Sequence, residues 1–205
     1  MERQALEPRS PRGRATKATL VAAARRVFER EGFPATHIAE IAAEAGVATG
    51  SFYTYFNDKN EIFAAVMDEV QEEMLHPVLS EPPAGSGPVA MIEAANRAYL
   101  ESYRRNARLM GLLEQVATID DEFRELRRQR WIAFAKRNAG SIARLQEQGL
   151  ADTGLDPYLA ATALSAMVSR VAYSNYVLGE EAPLETLVET LTRLWASALR
   201  LPDEG

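Results

Sequence analysis

The chain has 205 residues, 47% of them hydrophobic and 25% charged, with a formal net charge of -6; this is the composition of an ordinary globular protein and excludes collagen-like, coiled-coil-only and disordered chains. Cysteine is absent and the only histidines are His37 and His76, which excludes disulfides, thiolate zinc sites and histidine-rich metal centres, so no cofactor or metal is expected. No apolar run reaches about 18 residues, and the Arg- and Pro-rich start has no hydrophobic stretch behind it, so the expected location is cytoplasmic and away from the membrane. Residues 1–60 carry a small cationic excess within an acidic chain, so a polyanionic partner is expected to meet the front end.

Residues 1–15, with two prolines and a glycine, read as a disordered basic arm. From Thr16 the spacing of Leu20, Ala24, Val27 and Phe28 predicts a helix that Gly32 stops. Thr36 is the expected N-cap of a second helix carrying Ile38, Ile41, Ala42 and Ala45, ended by Gly46. After a turn at Gly46-Val47-Ala48 comes a short aromatic helix, Thr49 to Phe56. Asp58 with Glu61 opens a fourth helix as a capping box, and Ile62, Phe63, Val66, Met67, Val70 and Met74 form its buried stripe.

Pro77, Pro82, Pro83, Gly85, Gly87 and Pro88 place a boundary in the interior. Beyond it the pattern predicts helices at about 88–105, 107–117, 120–148 and 157–178, then a strongly amphipathic last helix bearing Leu184, Leu187, Val188, Leu191, Leu194, Trp195, Ala198 and Leu199. No segment alternates with period two, so no strand is expected. The expected fold is all-α with about nine helices: arm 1–15, a three-helix N-terminal domain over 16–60, and a larger helical domain over 61–205 entered through a linking helix at 58–79.

Two helices joined by a glycine turn, the second short and rich in small polar and aromatic residues, form the helix-turn-helix pattern. The run from Glu31 to Phe63 (EGFPATHIAEIAAEAGVATGSFYTYFNDKNEIF) closely resembles the DNA-binding domain of the TetR family of bacterial transcriptional regulators, over roughly residues 16–65. Beyond those residues the chain matches that family only in helix number and order, so the resemblance implies an architecture and no particular effector. Two positions depart from the family pattern. Ala48 stands where serine is frequent, so capping of the recognition helix shifts to Thr49 or is lost; Thr49 stands where a longer or basic residue is frequent, which reduces direct base reading.

The physical reading runs beside the resemblance. Phe28, Phe33, Phe52, Tyr53, Tyr55, Phe56 and Phe63 crowd into one short stretch, more than a three-helix core needs for bulk. Phe52 and Phe56 share a face and are expected in the core with Ile38, Ile41 and Val47. Tyr53 and Tyr55 are then free to aim hydroxyls at phosphates. Gly50 lets the backbone approach the groove, Thr49, Ser51 and Thr54 offer short polar groups to base edges, and Thr36 belongs to the same surface. Lys59 is a cation at a helix N-terminus, where it is disfavoured unless a phosphate lies near. Arg9, Arg12, Arg14 and Lys17 could enter the minor groove as an arm or remain a solvated tail.

A small helix-turn-helix unit reads a palindromic operator best as a symmetric homodimer. Leu164, Val168 and Val171 on the eighth helix and Leu187, Leu191, Leu194 and Trp195 on the ninth are the candidate two-fold interface, the alternative being that both stripes serve the intrachain core. Single amides interrupt the apolar stripes of the larger domain: Asn96 with Ile92, Tyr99 and Tyr103, Asn138 with Trp131, Phe134, Ile142 and Leu145, and Asn175 with Leu164, Val168 and Val171. Apolar walls with a few polar anchors suit a small ligand. Met110, Leu113, Phe123, Trp131, Phe134, Met167 and Tyr173 are the expected walls, although each amide could equally be a satisfied core group. The resemblance implies a repressor released by a small, mostly apolar effector. The alternatives are an effector-independent architectural DNA protein, or a helical enzyme using the scattered Glu114, Asp120, Asp121 and His76.

Overall fold

The computed structural model describes residues 10–75 and 86–202. Arg9, His76 and the breaker-rich stretch to Gly85 lie outside the described residues. Nine helices and no strand occur among those described: α1 (Pro11–Glu31), α2 (Ile38–Glu44), α3 (Thr49–Phe52), α4 (Lys59–Leu75), α5 (Pro88–Arg105), α6 (Ala107–Ala117), α7 (Asp121–Glu147), α8 (Pro157–Tyr176) and α9 (Leu184–Leu199).

Helix α1 begins before Thr16, which corrects the expected arm for residues 11–15. Ser10 is its N-cap, with the Oγ accepting from the Gly13 N–H at 3.1 Å. Pro11 occupies the first turn, where its missing N–H is no loss and its fixed φ already suits a helix. Arg12 and Arg14 therefore ride on a helix.

The start of α2 also differs by one residue. His37 is the N-cap, and the Glu40 carboxylate accepts from its backbone N–H at 2.9 Å. Thr36 is buried, and its hydroxyl donates to the Gly32 carbonyl at 2.7 Å, tying down the turn after α1. At the far end Gly46 takes φ 68°. Its N–H reaches the Ala43 carbonyl and that of Val47 reaches Ala42, both at 3.0 Å, the paired closure that needs a left-handed residue at this position. Asp58 caps α4, accepting from the Glu61 N–H at 2.9 Å, while the Glu61 carboxylate reaches back to the Asn57 N–H at 2.6 Å.

Two cores follow. The first joins α1 to α4 and extends into α6 and the start of α7, through Leu109, Leu112, Leu113, Val116 and Phe123. Phe63 is its hub: ring centroids lie 5.0 Å from Phe28, 4.9 Å from Phe33 and 5.3 Å from Phe123. The second core gathers Leu100 and Tyr103 of α5, Ile142 of α7, Val168 and Ala172 of α8, and Leu187, Val188, Leu191, Trp195 and Leu199 of α9. The expected dimer stripe is thereby corrected. Leu187, Leu191, Trp195 and Val168 are buried within the chain, Leu164 and Val171 are partly buried, and Leu194 alone of the set is exposed. The physical reason is that α9 packs against α5, so its strongest apolar face is consumed internally.

A polar junction crosses three helices between the cores. The Arg25 guanidinium donates to Glu73 at 2.8 Å and to the side-chain Oδ1 of Asn106 at 2.5 Å, and the Asn106 side-chain Nδ2 donates to Glu73 at 3.0 Å. Burial alone would raise the Glu73 pKa, but the bonds from Asn106 and Arg25 outweigh it and leave the carboxyl below its ordinary value.

Candidate nucleic-acid interface and ligand cavity

The second helix of the helix-turn-helix is presented with its polar side outward. Phe52 and Phe56 are buried, with Ile38 and Val47 packed around them. Thr49, Gly50 and Thr54 are exposed, Ser51 is half-buried and Tyr53 is 50% exposed. Among the described residues no side chain or backbone group takes up the Thr49, Ser51 or Thr54 hydroxyl. A Cβ placed on Gly50 would meet nothing within 4 Å, so this backbone is open to close approach from outside. Ala48 is the N-cap of α3 and supplies no side-chain bond; the cap is lost, and Thr49 does not replace it.

Three of the expected contact residues sit differently. Tyr55 packs its ring against the first core, leaving Tyr53 as the outward tyrosine. Thr36 is buried, as described. Lys59 folds inward: its ammonium donates to the Phe33 carbonyl at 2.7 Å and the Pro34 carbonyl at 3.3 Å, and lies 4.6 Å from the Phe33 ring centroid. Burial lowers its pKa from the ordinary lysine value. The carbonyls of the α1–α2 turn, rather than a phosphate, offset the unfavourable helix N-terminus. Lys59→Ala is therefore expected to lower unfolding free energy by about 1 to 2 kcal/mol in a urea titration. The salt dependence of DNA binding per folded molecule should stay unchanged; a flattened salt slope would restore the phosphate reading. The cations of α1 remain near the recognition helix, since the Lys17 ammonium lies 5.5 Å from the Phe56 ring centroid.

A cavity of about 690 Å³ opens where α4, α5, α6, α7 and α8 meet. Tyr99, Tyr103, Met110, Leu113, Trp131, Phe134 and Tyr173 line it, as expected from sequence. Phe123 belongs instead to the first core, and Met167 packs in the second; neither lines the cavity. The three amides are structural. Asn96 donates to Thr192 of α9 at 3.2 Å, and Asn138 to Ser165 of α8 at 2.8 Å. Asn175 clamps the α8–α9 turn by accepting from the Ala182 N–H at 2.6 Å and donating to its carbonyl at 3.3 Å. In helices packed on more than one side, an amide on an apolar face can point at a neighbouring helix rather than into a void. Asn138→Leu, which strands the buried Ser165 hydroxyl, should lower apo stability by about 1 to 3 kcal/mol. Unchanged stability on a melting curve without ligand would return Asn138 to the cavity.

Sequence reasoning missed the cationic part of the wall, formed by Arg124, Arg127, Arg128, Arg130 and Arg170, together with Gln71, Met74 and Ser169. The signal was present: Arg124, Arg127 and Arg128 share the helical face of Trp131 and Phe134, a stripe that high charge disguised as a solvated face. Among the described residues no three His, Asp or Glu side chains could hold a metal, and no helix is long and apolar enough to cross a membrane.

An outward recognition helix on a three-helix unit, joined to a helical domain, defines a DNA-binding transcriptional regulator of the helix-turn-helix type. Residues 20–66 match the family model described as bacterial regulatory proteins, tetR family. Residues 20–66 thus carry the DNA-binding sequence of that family, and the enzyme reading is set aside because the curated relatives are named as transcriptional regulators. The chain is 28% identical over 195 residues to the HTH-type transcriptional regulator TtgR of Pseudomonas putida, covering 91% of this chain and 92% of that one. It is 24% identical over 204 residues to the HTH-type transcriptional regulator EthR of Mycobacterium tuberculosis, covering 92% and 93%. In fold it is similar to SmeT, the repressor of the Stenotrophomonas maltophilia multidrug efflux pump SmeDEF, with a TM-score of 0.73 at 22% identity and 93% of each chain covered.

Proposed function

We propose that this chain is a cytoplasmic homodimeric repressor that leaves a palindromic operator when a small, largely apolar effector fills the cavity between α4 and α8. The observation that carries this reading is the double duty of α4. Its Ile62 and Phe63 belong to the core beneath the recognition helix, and its Met67, Val70 and Met74 line the cavity. A ligand that binds one position of α4 better than another thereby biases the recognition helix, and only to the extent of that difference. Thr49, Gly50, Ser51, Tyr53 and Thr54 face the major groove, with Arg12 and Arg14 of α1 at the neighbouring backbone.

The partner copy meets the outer faces of α8 and α9, where Leu159 and Leu194 are exposed at 67% and 47%. Leu194→Glu puts like charges near a two-fold axis and should give folded monomers by light scattering; a dimer from that variant places the interface elsewhere.

To test the whole reading, sites are selected from a random DNA pool with the purified protein, and a library of apolar compounds is screened by thermal shift. Inverted repeats with half-sites about one helical turn apart are expected, and compounds that raise the melting temperature should release that DNA. Stabilising compounds that leave DNA affinity unchanged would overturn the effector reading.

A further inference from the structure

The cavity has an aromatic and methionine interior, yet its wall also carries five arginines against one carboxylate, Glu114. Four of the five are already answered: Arg127 by Glu114, Arg124 by Asp121, Arg128 by Glu125 and Arg130 by Asp68. Asp121, Glu125 and Asp68 are not among the lining residues. Arg170 differs. Among the described residues no carboxylate pairs with it, and its guanidinium lies 5.2 Å from the ring centroid of Tyr173, which also lines the cavity. A guanidinium held over an aromatic face keeps its planar fork of donors available, and such a fork suits a carboxylate or phosphate oxygen pair.

A second observation points the same way. Arg130 is largely buried at 12% side-chain exposure and bonds Asp68 at 2.8 Å, yet its Nε is buried with no acceptor. The wall therefore holds positive charge and donors beyond what its own acids satisfy. Burial also pushes the Tyr99 phenol up to about 12, with Ser169 pulling the other way, and raises Tyr103 further. Both phenols stay protonated near neutral pH and can donate. A cationic ligand would meet this arrangement as repulsion, and a purely apolar one would make no use of the Arg170 charge, which stands exposed at the cavity's edge.

The geometry points to an amphipathic anion as the ligand class: an apolar body among Tyr99, Met110, Trp131 and Phe134, and a carboxylate or comparable oxyanion head on Arg170. This rests on the effector reading above and sharpens it from a largely apolar compound to an acid.

Full-length protein is titrated calorimetrically below the micelle limit with three probes that share one alkyl tail, namely dodecanoate, dodecanol and dodecyltrimethylammonium. Dodecanoate should bind at least about tenfold more tightly than dodecanol, equivalent to about 1.4 kcal/mol, and the ammonium probe should bind weakest. Arg170→Gln should bring dodecanoate down to the affinity of dodecanol while leaving dodecanol itself unchanged, and Arg170→Lys should recover part of the preference. Equal affinity for acid and alcohol in the unmodified protein, tighter binding of the ammonium probe, or an acid preference that survives Arg170→Gln overturns the inference. The two readings fail separately. Dodecanoate that binds with the expected preference but leaves DNA affinity unchanged sinks the effector role and keeps the anion site. DNA release by neutral compounds without any acid preference does the reverse.

Discussion

Phe63→Ala should lower the unfolding free energy by about 3 to 5 kcal/mol, the usual cost of emptying a fully buried aromatic site. Phe63 is fully buried and contacts Phe28, Phe33 and Phe123, so its ring touches α1, the turn after it, and α7. The loss is large against the roughly 5 to 15 kcal/mol that holds a typical domain together. Because Phe123 is the only one of these rings from the second half of the chain, the variant should also loosen the seat of α7 on the DNA unit. Hydrogen exchange would show this as faster opening at the start of α7 than at α9. A urea midpoint corresponding to less than about 1.5 kcal/mol would mean that neighbouring side chains refill the site and that Phe63 is no hub.

Gly50→Glu is expected to leave stability intact and to weaken DNA binding by about a hundredfold or more. The site is open, since nothing lies within 4 Å of a Cβ there, and glutamate suits a helix better than glycine does. The added carboxylate would instead face phosphates across the recognition surface, where juxtaposed like charges cost several kcal/mol. Gly50→Ala should lose much less. A fluorescence anisotropy titration on selected DNA separates the two. Wild-type affinity in the glutamate variant would move the contact surface away from α3.

Much of this architecture was legible before any coordinates, because the chain punctuates itself. Gly32, Gly46 and Gly149 close helices, and Pro88 and Pro157 open them; the expected bounds of α5 to α8 agree with the observed ones to within about two residues. The four-residue spacing of Phe52 and Phe56 assigns both to the core; α3 itself ends at Phe52, and the turn after it keeps Phe56 on the same side through the bond from its N–H to the Phe52 carbonyl at 3.1 Å. The errors have one physical source, which is that periodicity names a face without naming what lies opposite. Asn96 shares a face with Tyr99 and Tyr103, yet it meets Thr192 of α9 while the tyrosines meet the cavity. The α9 stripe was correctly apolar and wrongly directed, because α5 lies against it. From sequence Lys59 is a cation in want of a phosphate; in the fold, carbonyls twenty-five and twenty-six positions earlier supply the acceptors. At Ser10-Pro11 the polar, Arg-rich composition suggests an arm, while the serine before a proline is itself a helix-opening signal and prevails.

The separation of the three amides from the cavity decides how readily this sensor can be retuned. Asn96, Asn138 and Asn175 fasten helices to one another, while Trp131, Phe134 and Met110, none of them fully buried, line the void and, among the described residues, make no side-chain hydrogen bond to another helix. Exchanging one of the latter alters the shape offered to a ligand without cutting a tie between helices, and substitutions at incompletely buried positions are generally mild. Ligand range can therefore drift by single steps that each leave a folded, DNA-competent protein. A library confined to those three positions should retain most of its members as folded DNA-binding proteins with altered ligand range, whereas one confined to the amides should consist mainly of destabilised members.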